Sequence, residues 1–293
     1  MKMIKHGKDN IRVYYKAREQ IELAKAYLLN DNNDYDTTEE KWKRNALKMS
    51  LEEAIPTKDD IRSGFFIVDE ESKLDINTAT QEMLDSLVGM KKEISDSILD
   101  WRDMDNQPRS QGAEKAYYSR QGYECRNGLF ATTYELCLLR GMDEDIFLGE
   151  DINRNEELDA NEDDGIIYPP DDNIDGRLDK GINNLVTAFS LGKININTAP
   201  WEVLAALPGI SRPIAKNIVA HRGGGYTDIT QVKNAPEVSD KIYNGIIPLV
   251  TLSSSTFCID GVAETLDGKT RKRIRAIFRR SDNDGKVIYW REY

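Results

Sequence analysis

Apolar residues near the start of the chain recur with the spacing of a helix that buries one face. They lie at Ile11, Tyr14, Tyr15, Ala17, Ile21, Leu23, Ala24, Ala26 and Tyr27, as in an amphipathic helix. The pattern predicts one long helix that ends near Leu29. Residues 30–40 are acidic and turn-rich, which predicts a loop, and a second helix is expected from about Thr38 towards Glu52.

Strand-like alternation is confined to a short early segment and to the end of the chain. The stretch SGFFIVDEES, residues 63–72, predicts a strand with Phe66 and Val68 on one face. Residues 256–265, 272–281 and 286–293 alternate in the same way, with SDNDGK as the last turn. We therefore expect an α+β fold in which residues 1–77 and 250–293 form one unit, its N-terminal helix lying across an antiparallel sheet. Residues 78–249 should form a mostly α-helical insertion.

The predicted insertion contains an internal repeat. Residues 74–102 align without gaps onto residues 194–222 at a constant offset of 120, with identical residues at eleven positions. In each copy Thr78 or Thr198 is predicted to N-cap a helix, and Gly89 or Gly209 to end it in a left-handed conformation. A second helix then turns two isoleucines inward, Ile94 and Ile98 or Ile214 and Ile218. Each copy is thus a predicted helix-hairpin-helix.

Hairpins of this kind bind DNA in some proteins, but the composition disfavours that use here. The chain has a net charge of -11 and a pI of about 4.9, whereas phosphate backbones favour surfaces rich in Lys and Arg. The hairpin tripeptides are GMK at Gly89 and GIS at Gly209, in place of the G-[IV]-G typical of DNA binders. We interpret both copies as packing units, with DNA binding as the alternative.

A carboxylate-rich stretch between the two copies predicts a calcium site. Oxygen-bearing residues follow the spacing of an EF-hand loop twice, which suits Ca²⁺, although Glu156 replaces the usual Gly in the first loop and Ile182 the usual final acid in the second. The predicted ligands of one or two Ca²⁺ are Asp151, Asn153, Asn155, Glu157, Asp159, Glu162, Asp163, Asp164, Asp171, Asn173, Asp175, Arg177 (through its carbonyl) and Asp179. The alternative is a solvated acidic loop.

Other classes of protein are disfavoured by what the sequence lacks. It contains no GxSxG, HExxH or P-loop motif, which predicts a protein that is not an enzyme. The longest apolar runs are too short to span a bilayer. Cys125 and Cys137 are compatible either with a disulfide or with two buried thiols.

Several stretches together resemble the GspK family (general secretion pathway protein K), the large minor pseudopilins of bacterial type II secretion. The resemblance covers nearly the whole chain. It rests on the N-terminal helix followed by DNNDYDTTEEKW, and on VDEESKLDINTATQEMLDSL, ILDWRDMDNQPRSQGAEKAYYSRQ, NGLFATTYELCLLRGM, GKININTA and the closing VIYWREY.

The resemblance implies a pilin-like domain interrupted by a helical insertion that carries calcium. It also implies assembly with other minor pseudopilins at the tip of a periplasmic pseudopilus, with no enzymatic activity. Because the family's leader and hydrophobic half-helix are not present, we expect the soluble part of a protein anchored by one helix at the periplasmic face of the inner membrane. The helix should then expose a stripe including Ile11, Tyr14, Tyr15 and Ile21 to partners. The alternative is a periplasmic or secreted DNA-binding protein resembling a competence DNA receptor.

Overall fold

The structure, a computed structural model, describes residues 2–31, 33–43, 60–151, 158, 162–163, 165, 176–281 and 284–293. The chain forms two compact units. The sheet unit comprises residues 1–70, 224–227 and 252–293, and the hairpin unit comprises residues 71–223 and 228–251. Within these bounds the predicted α+β fold is confirmed, with a helix on an antiparallel sheet and a helical part that contains both hairpins.

The helices and strands are numbered here in chain order. The helices are α1 Lys2–Leu29, α2 Gln81–Ser86, α3 Lys92–Arg102, α4 Lys115–Gln121, α5 Glu144–Leu148, α6 Ile182–Leu185, α7 Trp201–Leu204, α8 Arg212–His221 and α9 Asp240–Ile246. The strands are β1 Ile61–Asp69, β2 Leu74–Asp75, β3 Val186–Thr187, β4 Ile194–Asn195, β5 Val250–Thr251, β6 Thr256–Thr265, β7 Arg271–Ser281 and β8 Asp284–Glu292. Short 3₁₀ helices include Thr133–Leu138 and Ile229–Asn234. The expected helix from Thr38 to Glu52 lies mostly outside the described residues.

The sheet unit packs α1 against four antiparallel strands in the order β1-β6-β7-β8. Phe65, Phe257 and Phe278 are fully buried in its core. The helix lies close to the sheet because Gly261 has no side chain: a Cβ there would stand 2.4 Å from the carbonyl oxygen of Ala17. A small residue on each element therefore sets the helix–sheet distance.

The predicted exposed stripe on α1 is partly wrong. Ile11 and Tyr15 are 61% and 60% exposed, as expected, but Tyr14 is half-buried and Ile21 is fully buried. Ile21 lies four residues after Ala17, on the stripe that faces the sheet. The outward-facing apolar stripe therefore consists of Ile11, Tyr15, Leu23 and Leu29, all of them exposed.

A buried ion pair joins the two central strands of the sheet unit. Asp260 on β6 accepts hydrogen bonds from Arg273 and Arg275 on β7, with N–O distances of 2.7 and 2.6 Å. Burial alone would raise the pKa of Asp260, but the charges of Arg275 and Arg273 hold it well below its usual range. Asp260 is therefore ionised and paired in the folded protein.

A second ion pair fixes the loop after α1. The guanidinium of Arg280 on β7 contacts Asp36 at 2.6 Å and donates a hydrogen bond to the carbonyl of Leu28, at the end of α1. The backbone N–H of Ser254 donates to the same aspartate. Burial raises the pKa of Asp36 to about 7, although Arg280 opposes this effect. These contacts tie the helix end, its loop and the sheet together.

The two aligned segments fold alike, but their first helices begin later than predicted. The Asp75 carboxylate and the Asn195 amide oxygen each accept a hydrogen bond from the backbone two residues on, at 2.7 and 2.9 Å. This turn encloses Thr78 and Thr198, so the prediction that they are N-caps is wrong. Thr80 caps α2 instead, and Pro200 precedes α7.

The predictions for the rest of each helix-hairpin-helix are confirmed. Gly89 and Gly209 have φ of +81° and +76°, the left-handed conformation expected after a helix end. The four isoleucines predicted to face inward are buried: Ile94, Ile98, Ile214 and Ile218.

The structural repeat extends beyond the segment that aligns in sequence. The 3₁₀ helices each begin with a capping box, formed by Thr132 and Glu135 or by Asp228 and Gln231, now 96 positions apart. The pairs β2–β3 and β4–β5 are both parallel and close the two repeats, with β3 and β5 only 64 positions apart. We call residues 74–187 the first repeat and residues 194–251 the second.

The number of positions between equivalent residues of the two repeats decreases along the chain and shows where the first repeat is longer. It falls from 120 to 96 between α3 and the 3₁₀ helix, so the first repeat has 24 extra residues in this stretch, which includes α4. The same number falls from 96 to 64 between α5 and α6, so the first repeat has 32 more residues there. This second extra stretch contains the acidic loop, defined here as residues 150–180. The acidic loop is thus an extra segment of the first repeat, because the second repeat closes without such a loop.

Candidate functional site

The acidic loop leaves and re-enters the hairpin unit through a narrow neck. Gly149 forms an antiparallel bridge with Lys180, and the N–H of Glu150 donates to the carbonyl of Asp179 at 2.8 Å. A Cβ on Gly149 would stand 2.2 Å from that carbonyl oxygen, and one on Gly181 would stand 2.2 Å from the backbone of Leu148. The two strands of the neck can approach this closely only because both positions are glycine.

The structure describes five of the thirteen predicted calcium ligands. Asp151 and Glu162 are buried, with 0% and 1% of their surface exposed, whereas Asp163, Arg177 and Asp179 are exposed. The other predicted ligands lie outside the described residues: Asn153, Asn155, Glu157, Asp159, Asp164, Asp171, Asn173 and Asp175. Burying carboxylates is unfavourable unless their charge is compensated. Burial therefore singles out Asp151 and Glu162 among the described candidates.

Asn184 on α6 is a candidate ligand that the sequence analysis missed. Its amide nitrogen donates a hydrogen bond to the Asp151 carboxylate. Its amide oxygen is buried and has no hydrogen-bond partner among the described residues. Asn184 lies just beyond the second EF-like spacing, so that pattern could not include it. A neutral amide oxygen is a common ligand of Ca²⁺.

Glu150 organises the base of the acidic loop. It is 1% exposed, and its carboxylate accepts a hydrogen bond from the N–H of Asp179 at 2.7 Å. This contact crosses the neck in the same place as the backbone bridge. The sequence pattern also missed this residue, because Glu150 precedes the first EF-like position by one.

Three basic side chains of the two hairpins are engaged within the protein. Lys92 contacts Asp85 at 2.8 Å and Asp96 at 2.9 Å. In the second repeat, Arg212 and Lys216 both lie over the ring of Trp201, 4.5 and 4.8 Å from its centre. Contact with a phosphate backbone would have to compete with these interactions.

The hairpin backbone is also used internally. The residue after each hairpin glycine, Met90 or Ile210, donates its N–H to the carbonyl of Leu87 or Leu207 at 3.0 and 3.1 Å. These bonds complete the helix ends. The corresponding backbone donors are therefore not directed at an external ligand.

His221, one of the two histidines of the chain, makes a local contact within its helix. His221 forms a hydrogen bond with the carbonyl of Asn217 through its Nδ1 at 2.9 Å, one turn earlier on α8. Cys125 and Cys137 are not joined by a disulfide, and Cys137 is exposed. Among the described residues, no helix is long and apolar enough to cross a membrane.

Comparison with known proteins finds two family models that match parts of the chain and a solved structure with a similar fold. Residues 68–148 match the family described as Type II secretion system (T2SS), protein K, and residues 190–251 match the helix-hairpin-helix motif. The fold is similar to a chain in the GspK-GspI-GspJ complex from the type 2 secretion system of enterotoxigenic Escherichia coli. That match has a TM-score of 0.73 and 14% identity, and covers 99% of both chains. No curated protein matches the sequence.

Proposed function

We propose, on the premise that this chain is a relative of type II secretion protein K, that it works as a minor pseudopilin. The observation that carries the proposal is the agreement of two comparisons. Residues 68–148 match protein K, and 99% of the chain shares the fold of a chain in the GspK-GspI-GspJ complex. The protein acts on the periplasmic side, at the pseudopilus tip, where it supports export across the outer membrane without catalysing a reaction. At full length a single N-terminal helix anchors it in the inner membrane.

Its partners are the counterparts of GspI and GspJ, and α1 supplies the docking surface. The outward stripe of Ile11, Tyr15, Leu23 and Leu29 presents apolar side chains to solvent, as expected of a helix that packs on other helices. Residues 1–77 and 250–293 would form the pilin-like domain and residues 78–249 the inserted domain.

Assembly can be tested by mixing the chain with its two partner pseudopilins and measuring the mass of the complex by light scattering. We expect a stoichiometric complex that Tyr15→Asp weakens about tenfold or more, since it buries a charge in an apolar contact. Leu191→Asp is the matched control, because Leu191 is 65% exposed but lies in the hairpin unit. If neither partner binds at micromolar concentration, the assembly proposal is wrong.

We further propose that the acidic loop binds one or two Ca²⁺. The buried Asp151 and Glu162, with the amide oxygen of Asn184, would supply an all-oxygen set together with the predicted ligands outside the described residues. An ion bound only by the folded loop would stabilise it by mass action.

Chelation provides the test of the calcium proposal. EGTA should lower the melting temperature and expose the acidic loop to protease, and Asp151→Ala should do the same without EGTA. Glu144→Ala serves as the control, because Glu144 is exposed and is not among the predicted ligands. A protein whose melting temperature and protease pattern are unchanged by EGTA has only a solvated acidic loop.

The competing function is binding of DNA by the helix-hairpin-helix motifs, favoured by the match over residues 190–251. A DNA titration at low salt separates the two functions. Tight binding that weakens steeply with salt would support the DNA-binding alternative, whereas we expect none because the hairpin cations contact Asp85, Asp96 and Trp201.

A further inference from the structure

We propose that Asp100, Asp103 and Glu114 form a further divalent-cation site in the first repeat, separate from the acidic loop. Each of these residues offers a carboxylate oxygen, and the three oxygens lie within 4.8 Å of one another. Two ligands on opposite sides of a Ca²⁺ ion, each at 2.3–2.6 Å, are about 5 Å apart. The separation therefore fits a single ion held between the three side chains.

The local fold brings these carboxylates together at a helix end that disfavours them. Asp100 lies in the last turn of α3 and Asp103 is its C-cap, where the helix dipole is negative and repels carboxylates. Glu114 precedes α4, across the turn from Asp100. Gly112 permits the approach, because a Cβ there would stand 1.9 Å from the Asp100 carboxylate.

One positive side chain compensates only part of this charge. Arg109 contacts Asp100 at 2.6 Å and Asp103 at 2.7 Å. The nearby Arg102 is directed elsewhere, because it donates to the carbonyls of Ile76 and Ala79. Three carboxylates and one guanidinium leave a charge of about −2, which one divalent cation would neutralise.

The environment of Glu114 is the second observation that points to a bound cation. The residue is only 3% exposed, yet neither of its carboxylate oxygens has a hydrogen-bond partner among the described residues. A buried, unpartnered carboxylate beside two others is unfavourable as it stands, and a bound cation would satisfy both of its oxygens.

The site lies in a part of the first repeat that differs from the second. Asp103 and Glu114 both lie between α3 and the 3₁₀ helix, where the first repeat has 24 residues more than the second. The carboxylate-only ligand set is that of a hard cation, and its irregular geometry suits Ca²⁺ better than Mg²⁺.

Calcium binding to the full chain, measured by titration calorimetry, tests the proposal. In an Asp151→Asn background, which weakens the acidic loop, we expect about one remaining equivalent of Ca²⁺. Adding Glu114→Gln should weaken that binding about tenfold or more. Asp103→Asn should do the same, and the fold should tolerate it because the Asp103 side chain is 28% exposed. Glu124→Gln, at an exposed position nearby, is the control.

The outcomes separate this site from the other proposals. Loss of the remaining equivalent in both variants, with unchanged circular dichroism, supports the site, whether or not the acidic loop binds calcium. If the stoichiometry and affinity are the same with and without Glu114→Gln and Asp103→Asn, or if the Asp151→Asn chain binds no Ca²⁺, the proposal is overturned. Neither result bears on binding of the partner pseudopilins, which light scattering measures independently.

Discussion

Two arginines at equivalent positions each stabilise the interior of one repeat. Arg102 donates to the carbonyls of Ile76 and Ala79, and Arg222 donates to those of Ile196 and Ala199, 120 positions later. Each arginine thus ties the end of the second hairpin helix to the turn before the first. The sequence alignment shows the identity of these residues but not their role, because no short-range pattern links an arginine to carbonyls more than 20 positions earlier.

Replacing either arginine should destabilise the hairpin unit. Hydrogen bonds from a charged donor contribute about 1.5–3 kcal/mol, so we expect Arg102→Ala and Arg222→Ala each to lower the free energy of unfolding by about 2–3 kcal/mol. Urea denaturation measures this loss. The control is Arg126→Ala, whose side chain is 43% exposed and pairs with Glu135 at 3.1 Å; its cost should stay below about 1 kcal/mol. Equal losses in all three variants would contradict the assigned role.

Asp260 should make the sheet unit sensitive to acid. Its folded pKa is held below the unfolded value of about 3.9 by Arg275 and Arg273. The stabilisation is therefore complete above about pH 4 and is lost as the pH falls further. Thermal unfolding followed from pH 7 to pH 2 should show this loss.

The isosteric variant Asp260→Asn checks the assignment. At pH 7 it should cost about 3–5 kcal/mol, because it leaves two mostly buried guanidinium groups without their carboxylate. It should also flatten the decline in stability below pH 4. Glu264→Gln, at a more exposed position of the same strand, should leave that decline in place. An acid profile that survives Asp260→Asn would assign the sensitivity to other carboxylates.

At the level of elements, the strongly periodic segments were predictable and the tightly turned ones were not. The helix ending at Leu29, the strands β6 to β8 and both hairpins follow from apolar spacing and glycine placement. The caps at Thr78 and Thr198 were predicted wrongly, because the Asp75 and Asn195 side chains accept backbone hydrogen bonds that form a turn before each helix begins. The 3₁₀ helix Thr133–Leu138 was not predicted, because six residues carry no helical period.

The glycines of the neck make a prediction about the acidic loop. Gly181→Ala would place a Cβ against the backbone of Leu148, so the neck must open. We expect faster cleavage within residues 150–180 by a protease of broad specificity. Gly224→Ala is the control, because no atom lies within 4 Å of a Cβ there. Identical cleavage rates for the two variants would show that the neck does not restrain the loop.

For the whole molecule, the sequence predicted the class of fold and the uneven distribution of strands and helices. It could not reveal which carboxylates are buried, since burial depends on how distant segments pack. Asp151 and Glu162 were candidates by spacing, whereas Glu150, Asn184 and Glu114 emerge only from the folded chain. The calcium ligands outside the described residues remain predictions.

Each unit has its own buried cluster, so perturbations should act on one unit at a time. EGTA should shift the unfolding of the hairpin unit, whereas Asp260→Asn should shift that of the sheet unit. Hydrogen exchange with mass spectrometry, resolved by peptide, can separate the two effects. Uniform loss of protection along the chain in either case would mean that the units unfold as one.

The narrow neck also bears on whether the hairpin unit needs the acidic loop in order to fold. In the second repeat Gly245 is followed directly by Ile246, whereas in the first repeat their counterparts Gly149 and Ile182 are separated by residues 150–181. The second repeat therefore shows the same module closed without the acidic loop, and the loop enters the first repeat at the position of a single peptide bond. Excising residues 150–181 would create the junction of the second repeat in the first, so the loop should be removable without unfolding the hairpin unit.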